Sequence, residues 1–312
     1  MLSQAADSLY WMARYLERAE NQARLLDVSL NMAMIDTPED REAQLAVPLE
    51  IAGTRELYDA CYQELTPKNL VQCMVLDRNY PDSTYNLIRK ARENAHHVRG
   101  NLSADVWESI NSAWLEIQDF SQGDVTEFNA SWLSDWTRER SHLFRGAAYG
   151  TMLRNDAFLF LRLGTFIERA NNTARTIDVR FTQASLPEHE KDARGFFEWT
   201  ALLHSLAAFE AYQNLYGHNL QPLNILELLI LGRDVPRSLQ ACMKEIVELL
   251  GQIDGPRGRS AKRLANSLHA NLRYGDHTYI ADRGVEEYLK DFIHRVDRIA
   301  HEMQRSYMEG QA

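Results

Sequence analysis

The chain has 312 residues, 45% hydrophobic and 25% charged, the balance of an ordinary globular protein. Its net charge of -10 argues against a nucleic-acid backbone or an anionic membrane as principal partner. The three cysteines, Cys61, Cys73 and Cys242, are scattered without CxxC spacing, which excludes a disulfide framework or structural zinc site and fits a reducing cytoplasm.

The opening MLSQAADSLYWMARYLERAEN carries charges too early for a signal peptide, and no run approaches the ~18 apolar residues of a membrane span, so a soluble protein is expected. Apolar spacings of three and four predict about twelve helices and no strand. In chain order they cover 3–35, 49–64, 67–77, 82–99, 103–121, 125–149, 153–184, 190–216, 222–232, 236–252, 259–273 and 284–308. Residues 36–48, around Thr37-Pro38-Glu39-Asp40, read as a loop. All eight prolines fall between the helical stretches, and Thr66-Pro67, Gln221-Pro222 and Val235-Pro236 mark helix starts, where the missing N–H is not needed. Ser3 and Ser103 read as N-caps, and Asp124-x-x-Glu127 has capping-box spacing.

The organising feature is a repeat. Tyr15–Val28 (YLERAENQARLLDV) aligns without a gap to Phe166–Val179 (FIERANNTARTIDV). Farther on, Pro67, Asn69, Leu76, Arg78, Pro81 and Ser83 match Pro222, Asn224, Leu231, Arg233, Pro236 and Ser238; Gly100 then meets Gly255, and Asn111-Ser112 meets Asn266-Ser267. The expectation is one all-α domain, a helical bundle or array with pseudo-twofold symmetry, made of duplicated units at about 1–150 and 151–312. Such units bury their apolar faces against each other.

On a wheel of about 100° per residue, Met12, Leu16, Ala19, Ala23, Leu26 and Leu30 form an apolar stripe on the first repeat helix. Tyr10, Arg14, Glu17, Arg18, Asn21 and Arg24 share an arc of roughly 120° on the other side. The second copy carries Glu168, Arg169, Asn172 and Arg175 there, and Asp27 and Asp178 sit to the side, within reach of the arginine three residues earlier. Three readings stand open. The face is solvated and held by i,i+4 pairs; or it is a buried network in which Glu17 pairs with Arg169 and Arg18 with Glu168; or it is a polar cleft in which arginines clamp a carboxylate or phosphate. The copies share Glu, Arg, Asn, Arg and Asp while apolar neighbours differ, which disfavours the solvated face.

These residues, followed by ARENAHHVRGNLSADVWESIN (91–111) and TMLRNDAFLFLRLGTFIERANNTARTIDV (151–179), resemble the bacterial alpha-E family, helical proteins named for their ER motif. The resemblance covers nearly the whole chain. Thr165 and His96 each stand where the family pattern usually has Arg, so an anion clamp would lean on Arg14, Arg18, Arg24, Arg99, Arg154 and Arg175. The resemblance implies, as partners, a circularly permuted ATP-grasp protein and a transglutaminase-like protein, and hence a role in a system that forms peptide or amide bonds.

Rival chemistry is weaker. Glu93-x-x-His96 and Glu139-x-x-His142 have di-iron spacing, but Glu93 points away from the apolar face and Glu139 flanks Trp132 and Trp136. His294, Asp297 and His301 share a face with Arg298 and Arg305 and read as solvated. No cysteine has a His at useful helical spacing, and Gly-x-Ser-x-Gly, P-loop and GxGxxG motifs are absent. No metal or cofactor is expected. The leading expectation is an accessory or substrate-binding component acting through the Glu-Arg face on a carboxylate or peptide. The alternatives are an enzyme with Glu17 or Glu168 as general base, or a purely structural interaction protein.

Overall fold

The computed structural model describes residues 3–35, 37–121, 127–184, 193–253 and 257–309. Fifteen α-helices and no strand occur among them. The helices are α1 (Ser3–Ile35), α2 (Pro38–Ala52), α3 (Arg55–Cys61), α4 (Pro67–Val71), α5 (Thr84–His97), α6 (Ala104–Phe120), α7 (Glu127–Thr151) and α8 (Asp156–Ala184). They continue as α9 (Ala193–Ser205), α10 (Phe209–Tyr216), α11 (Pro222–Leu226), α12 (Leu239–Gln252), α13 (Arg259–Arg273), α14 (His277–Arg283) and α15 (Val285–Met303). The chain divides into two compact units, Met1–Thr165 and Phe166–Ala312, and the division falls inside α8.

Residues 38–48 of the expected loop are instead the first turns of α2. Thr37 caps it, its hydroxyl accepting from the Asp40 amide, and Pro38 occupies the first helical position. Thr37-Pro38 is therefore the same start signal as Thr66-Pro67. Pro48 lies within α2, against the expectation that every proline stands between helices. The expected helices 49–64 and 190–216 are each broken. Gly53 ends α2 at φ 69, with the Gly53 amide donating to the Glu50 carbonyl and the Thr54 amide to that of Leu49. At the end of α9, Ala207 adopts φ 50, and the Ala207 and Ala208 amides donate to the His204 and Leu203 carbonyls in the same pattern. Both are Schellman closures, which want glycine at the left-handed position. Ala207 is exposed. Ala207→Gly is therefore expected to raise stability by about 1 kcal/mol, read as a shift in the denaturant midpoint. The helix α14, capped by Asp276, was not among the expected elements. The Asp124 half of the capping box, Pro187, Gly255 and Pro256 lie outside the described residues.

Within the first unit, α1 packs on α2, α5 and α7, and α6 closes the ring between α5 and α7. Such a ring surrounds α1 with neighbours, so its sequence must satisfy contacts on most of its circumference. Leu26, Leu45, Leu49, Tyr58, Leu70, Met74, Ile88, Ile117, Leu133 and Trp136 belong to one buried core here. The start of α8 approaches α1 at Gly164, where a Cβ would lie 2.2 Å from the Tyr10 carbonyl oxygen. Only glycine admits that separation. In the second unit α12 packs on α13, and α13 and α14 pack on α15.

The sequence repeat carries a repeat of local structure. The helices α4 and α11 each begin with proline and pass into π-helical turns, Gln72–Leu76 and Glu227–Leu231. Ser83 and Ser238 cap the following helices by accepting from Asn86 and Ala241 amides. Just before, Tyr58 donates to the Glu64 carbonyl and Tyr62 to Asp77. Their counterparts Tyr212 and Tyr216 donate to the Asn219 carbonyl and to Glu227. The two ring pairs sit at 5.0 and 5.1 Å. Burial pushes the Tyr58 and Tyr216 hydroxyls up to about 12, so they remain neutral donors at physiological pH. In the first copy, Asn86 adds three amide bonds to the carbonyls of Asp77, Arg78 and Tyr80, fixing the turn that carries Asp82.

Candidate functional site

The polar arc of α1 is not solvated. Tyr10, Glu17 and Asn21 are buried, and Arg14, Arg18 and Arg24 are half-buried. A buried carboxylate requires charged or hydrogen-bonding partners, and α7 supplies them. Arg145 Nη1 donates to Glu17 Oε2 at 3.0 Å, to Glu20 Oε2, and to Ser141 Oγ at 2.9 Å. Ser141 Oγ in turn donates to Glu20 Oε2 at 2.9 Å. The other oxygen of Glu20 accepts from Arg24 Nε and Nη2 at 3.1 and 3.0 Å, and the His142 ring stands 3.5 Å away. One guanidinium thus bridges two carboxylates, and a second closes on Glu20 from its own helix. Arg18 reaches the turn held by Asn86, pairing with Asp82 at 3.3 Å. Arg14 lies over the Trp11 ring at 4.7 Å, and Trp11, half-buried, stacks on Tyr15.

In the second unit the matching face is also buried: Glu168, Arg169 and Asn171 are each under a tenth exposed. Arg175 Nε donates to Asn171 Oδ1 at 2.7 Å, just as Arg24 reaches back four residues to Glu20. Asn171 Nδ2 donates to Asp297 on α15 at 2.7 Å, and Thr173 donates to the Arg237 carbonyl at 2.9 Å. The expected contact between each arginine and the aspartate three residues later gives way to these bonds. The geometry favours i−4 because Glu20 and Asn171 lie on the buried side of the arginine. Asp27 instead accepts from Ser131, and Asp178, half-buried with one buried oxygen lacking a hydrogen bond, is pushed above the usual carboxylate range by burial. Asn172 is half-buried on the same helix.

Arg99 and Arg154 make their contacts elsewhere. Arg99 is exposed and stacks on Trp107 at 4.5 Å. Arg154, also exposed, lies over Phe158 at 4.0 Å and donates to the Tyr149 carbonyl. Each of the six cations named for an anion clamp is thus engaged within its own unit. Glu93, His96 and Glu139 are exposed, as are His294, Asp297 and His301. Among the described residues no group of three or more His, Cys, Asp or Glu side chains is placed to hold a metal. No helix among them is long and apolar enough to cross a membrane.

Glu20, Ser141, His142 and Arg145 were not singled out from the sequence. No curated protein and no solved structure matches the chain. The model of the Alpha-E family, a predicted alpha-helical domain with a conserved ER motif, matches residues 1–308. With its two ER helices in all-helical units and a match over nearly its whole length, the chain belongs to the Alpha-E family.

Proposed function

We propose that this protein is a non-catalytic, binding component of a bacterial cytoplasmic system that forms peptide or amide bonds with ATP. Its partners are a circularly permuted ATP-grasp ligase, which supplies the phosphate chemistry, and a transglutaminase-like protein. The observation that carries the non-catalytic part is the state of the ER carboxylate. Glu17 is 1% exposed and held by Arg145, so it meets neither substrate nor the water that a general base must contact. The ER helices, on this reading, set the packing of each unit and leave recognition to other surfaces.

The test uses the full chain and a circularly permuted ATP-grasp protein from the same genome. The two proteins are expected to co-elute, and ADP release by the ligase with its acceptor is expected to rise when the chain is added. Folded Glu17→Gln should support that stimulation to within about twofold. Were Glu17 the base, its loss would lower turnover by about 10²–10⁴-fold. Absence of both co-elution and stimulation overturns the proposal.

A further inference from the structure

The second unit contains a cleft of about 540 Å³ between α13, α14 and α15, within the size range of small-ligand sites. Its origin is visible by comparison with the first unit, where residues 155 earlier occupy the same places in the repeat. There the corner is filled. Phe120 packs edge-on against Trp136 at 5.1 Å, the Trp136 indole donates to Glu116, and Arg140 donates to the same carboxylate at 3.3 Å. In the second unit Phe120 is replaced by Gly275, Trp136 by Asp291 and Glu116 by Asn271, whereas Arg140 is retained as Arg295. The frame survives: with the Asn271 amide in the orientation that satisfies both its ends, Arg295 donates to its oxygen at 2.9 Å and its nitrogen donates to the Ser267 carbonyl. The rings are gone, and a lined space stands in their place.

What lines that space is suited to receive a ring. Leu268 and Phe292, both buried, give an apolar floor. Tyr274 and Tyr279, 79% and 61% exposed, stand at the mouth with little of their apolar surface buried by this chain. Tyr288 walls one side as a neutral phenol, its hydroxyl pushed up to about 12 by burial. Asp291, 3.7 Å from Arg295, presents a carboxylate where the indole stood, and Asp276 lines the same opening. Aromatic walls with a few placed acceptors describe a site for an aromatic group bearing an N–H.

We propose that this cleft binds an aromatic side chain presented by a peptide, the ring taking the place that Phe120 and Trp136 fill in the first unit. The inference draws on neither the ER network nor the ATP-grasp partner, so its test stands apart from theirs. Titration calorimetry of the full chain with N-acetyl-tryptophanamide is expected to show one saturable site. The binding should be about tenfold tighter than for N-acetyl-leucinamide. Asn271→Glu with Asp291→Trp restores the indole of the first unit's corner and its carboxylate acceptor, and should abolish binding. Should that variant not fold, Tyr274→Ala and Tyr279→Ala, both at exposed positions, decide the matter by weakening binding at least about threefold. No saturable binding up to about millimolar probe overturns the proposal. So does equal binding of the two probes, or binding that both tyrosine variants and the filled variant leave unchanged.

Discussion

Replacing Glu20 by alanine is expected to destabilise the first unit by about 3–5 kcal/mol, the loss typical of breaking a buried charge network by removing one partner. Glu20 is fully buried and accepts from Arg24, Arg145 and Ser141. Its removal takes from Arg145 one of the two carboxylates it bridges, leaving Glu17, and takes from Arg24 the oxygen that accepts from both its Nε and Nη2. Five of the six tryptophans (11, 107, 114, 132 and 136) lie in this unit, so tryptophan fluorescence during denaturant unfolding reports mainly on it. Arg145→Ala should also be strongly destabilising. The double variant should fall short of the sum by about 0.5–3 kcal/mol, since both changes remove the same contact. A loss below about 1 kcal/mol for Glu20→Ala would instead describe a solvated pair of the exposed kind and remove the buried network from the account.

Helical periodicity made most elements legible, because each helix hides one stripe and the spacing of that stripe survives in the sequence. α1 and α13 have the expected ends, 3–35 and 259–273. The failures are local. The break at Gly53 is announced by glycine, but its counterpart at Ala207 uses a residue that strains against the left-handed conformation, and no sequence signal marks it. Thr37-Pro38 reads as loop because the turn residues around it resemble a cap and a loop equally well. At the site, shared identities between the two repeat helices point to Glu17, Arg18, Arg24 and Arg175, which lie buried or half-buried with the contacts described above. They could not find Glu20, which sits on the border of the apolar stripe and has Asn171 as its counterpart. Nor could they find Arg145 and Ser141, because the positions 155 residues on are Ala300 and Val296. A network whose far side lies on another helix is a tertiary fact, and the repeat hides it further by rebuilding that side with Asp297.

The same divergence between copies sets up the second large effect, at Arg180 on α8 and Glu198 on α9. Both side chains are buried, at 0% and 1% exposure, and Arg180 Nη1 stands 3.9 Å from Glu198 Oε2. Burial is severe enough to bring the Arg180 guanidinium down to about 10, with Glu198 opposing the shift. Desolvating two charges is expensive, and their attraction at this separation offsets only part of it. Glu198→Ala leaves Arg180 without that carboxylate and is expected to cost about 3–5 kcal/mol. The first unit shows a neutral solution at the matching places, with Ser29 and Gln44 both buried. Arg180→Ser with Glu198→Gln installs that solution in the second unit. The double variant should therefore be markedly more stable than Glu198→Ala and close to the parent, because neither charge remains to be desolvated. Hydrogen exchange along α8 and α9 localises the effect: amides there should lose protection in Glu198→Ala and regain it in the double variant. If the double variant is as unstable as Glu198→Ala, the pair is coupled to further groups, and its charge, rather than its volume, is what α9 requires to dock.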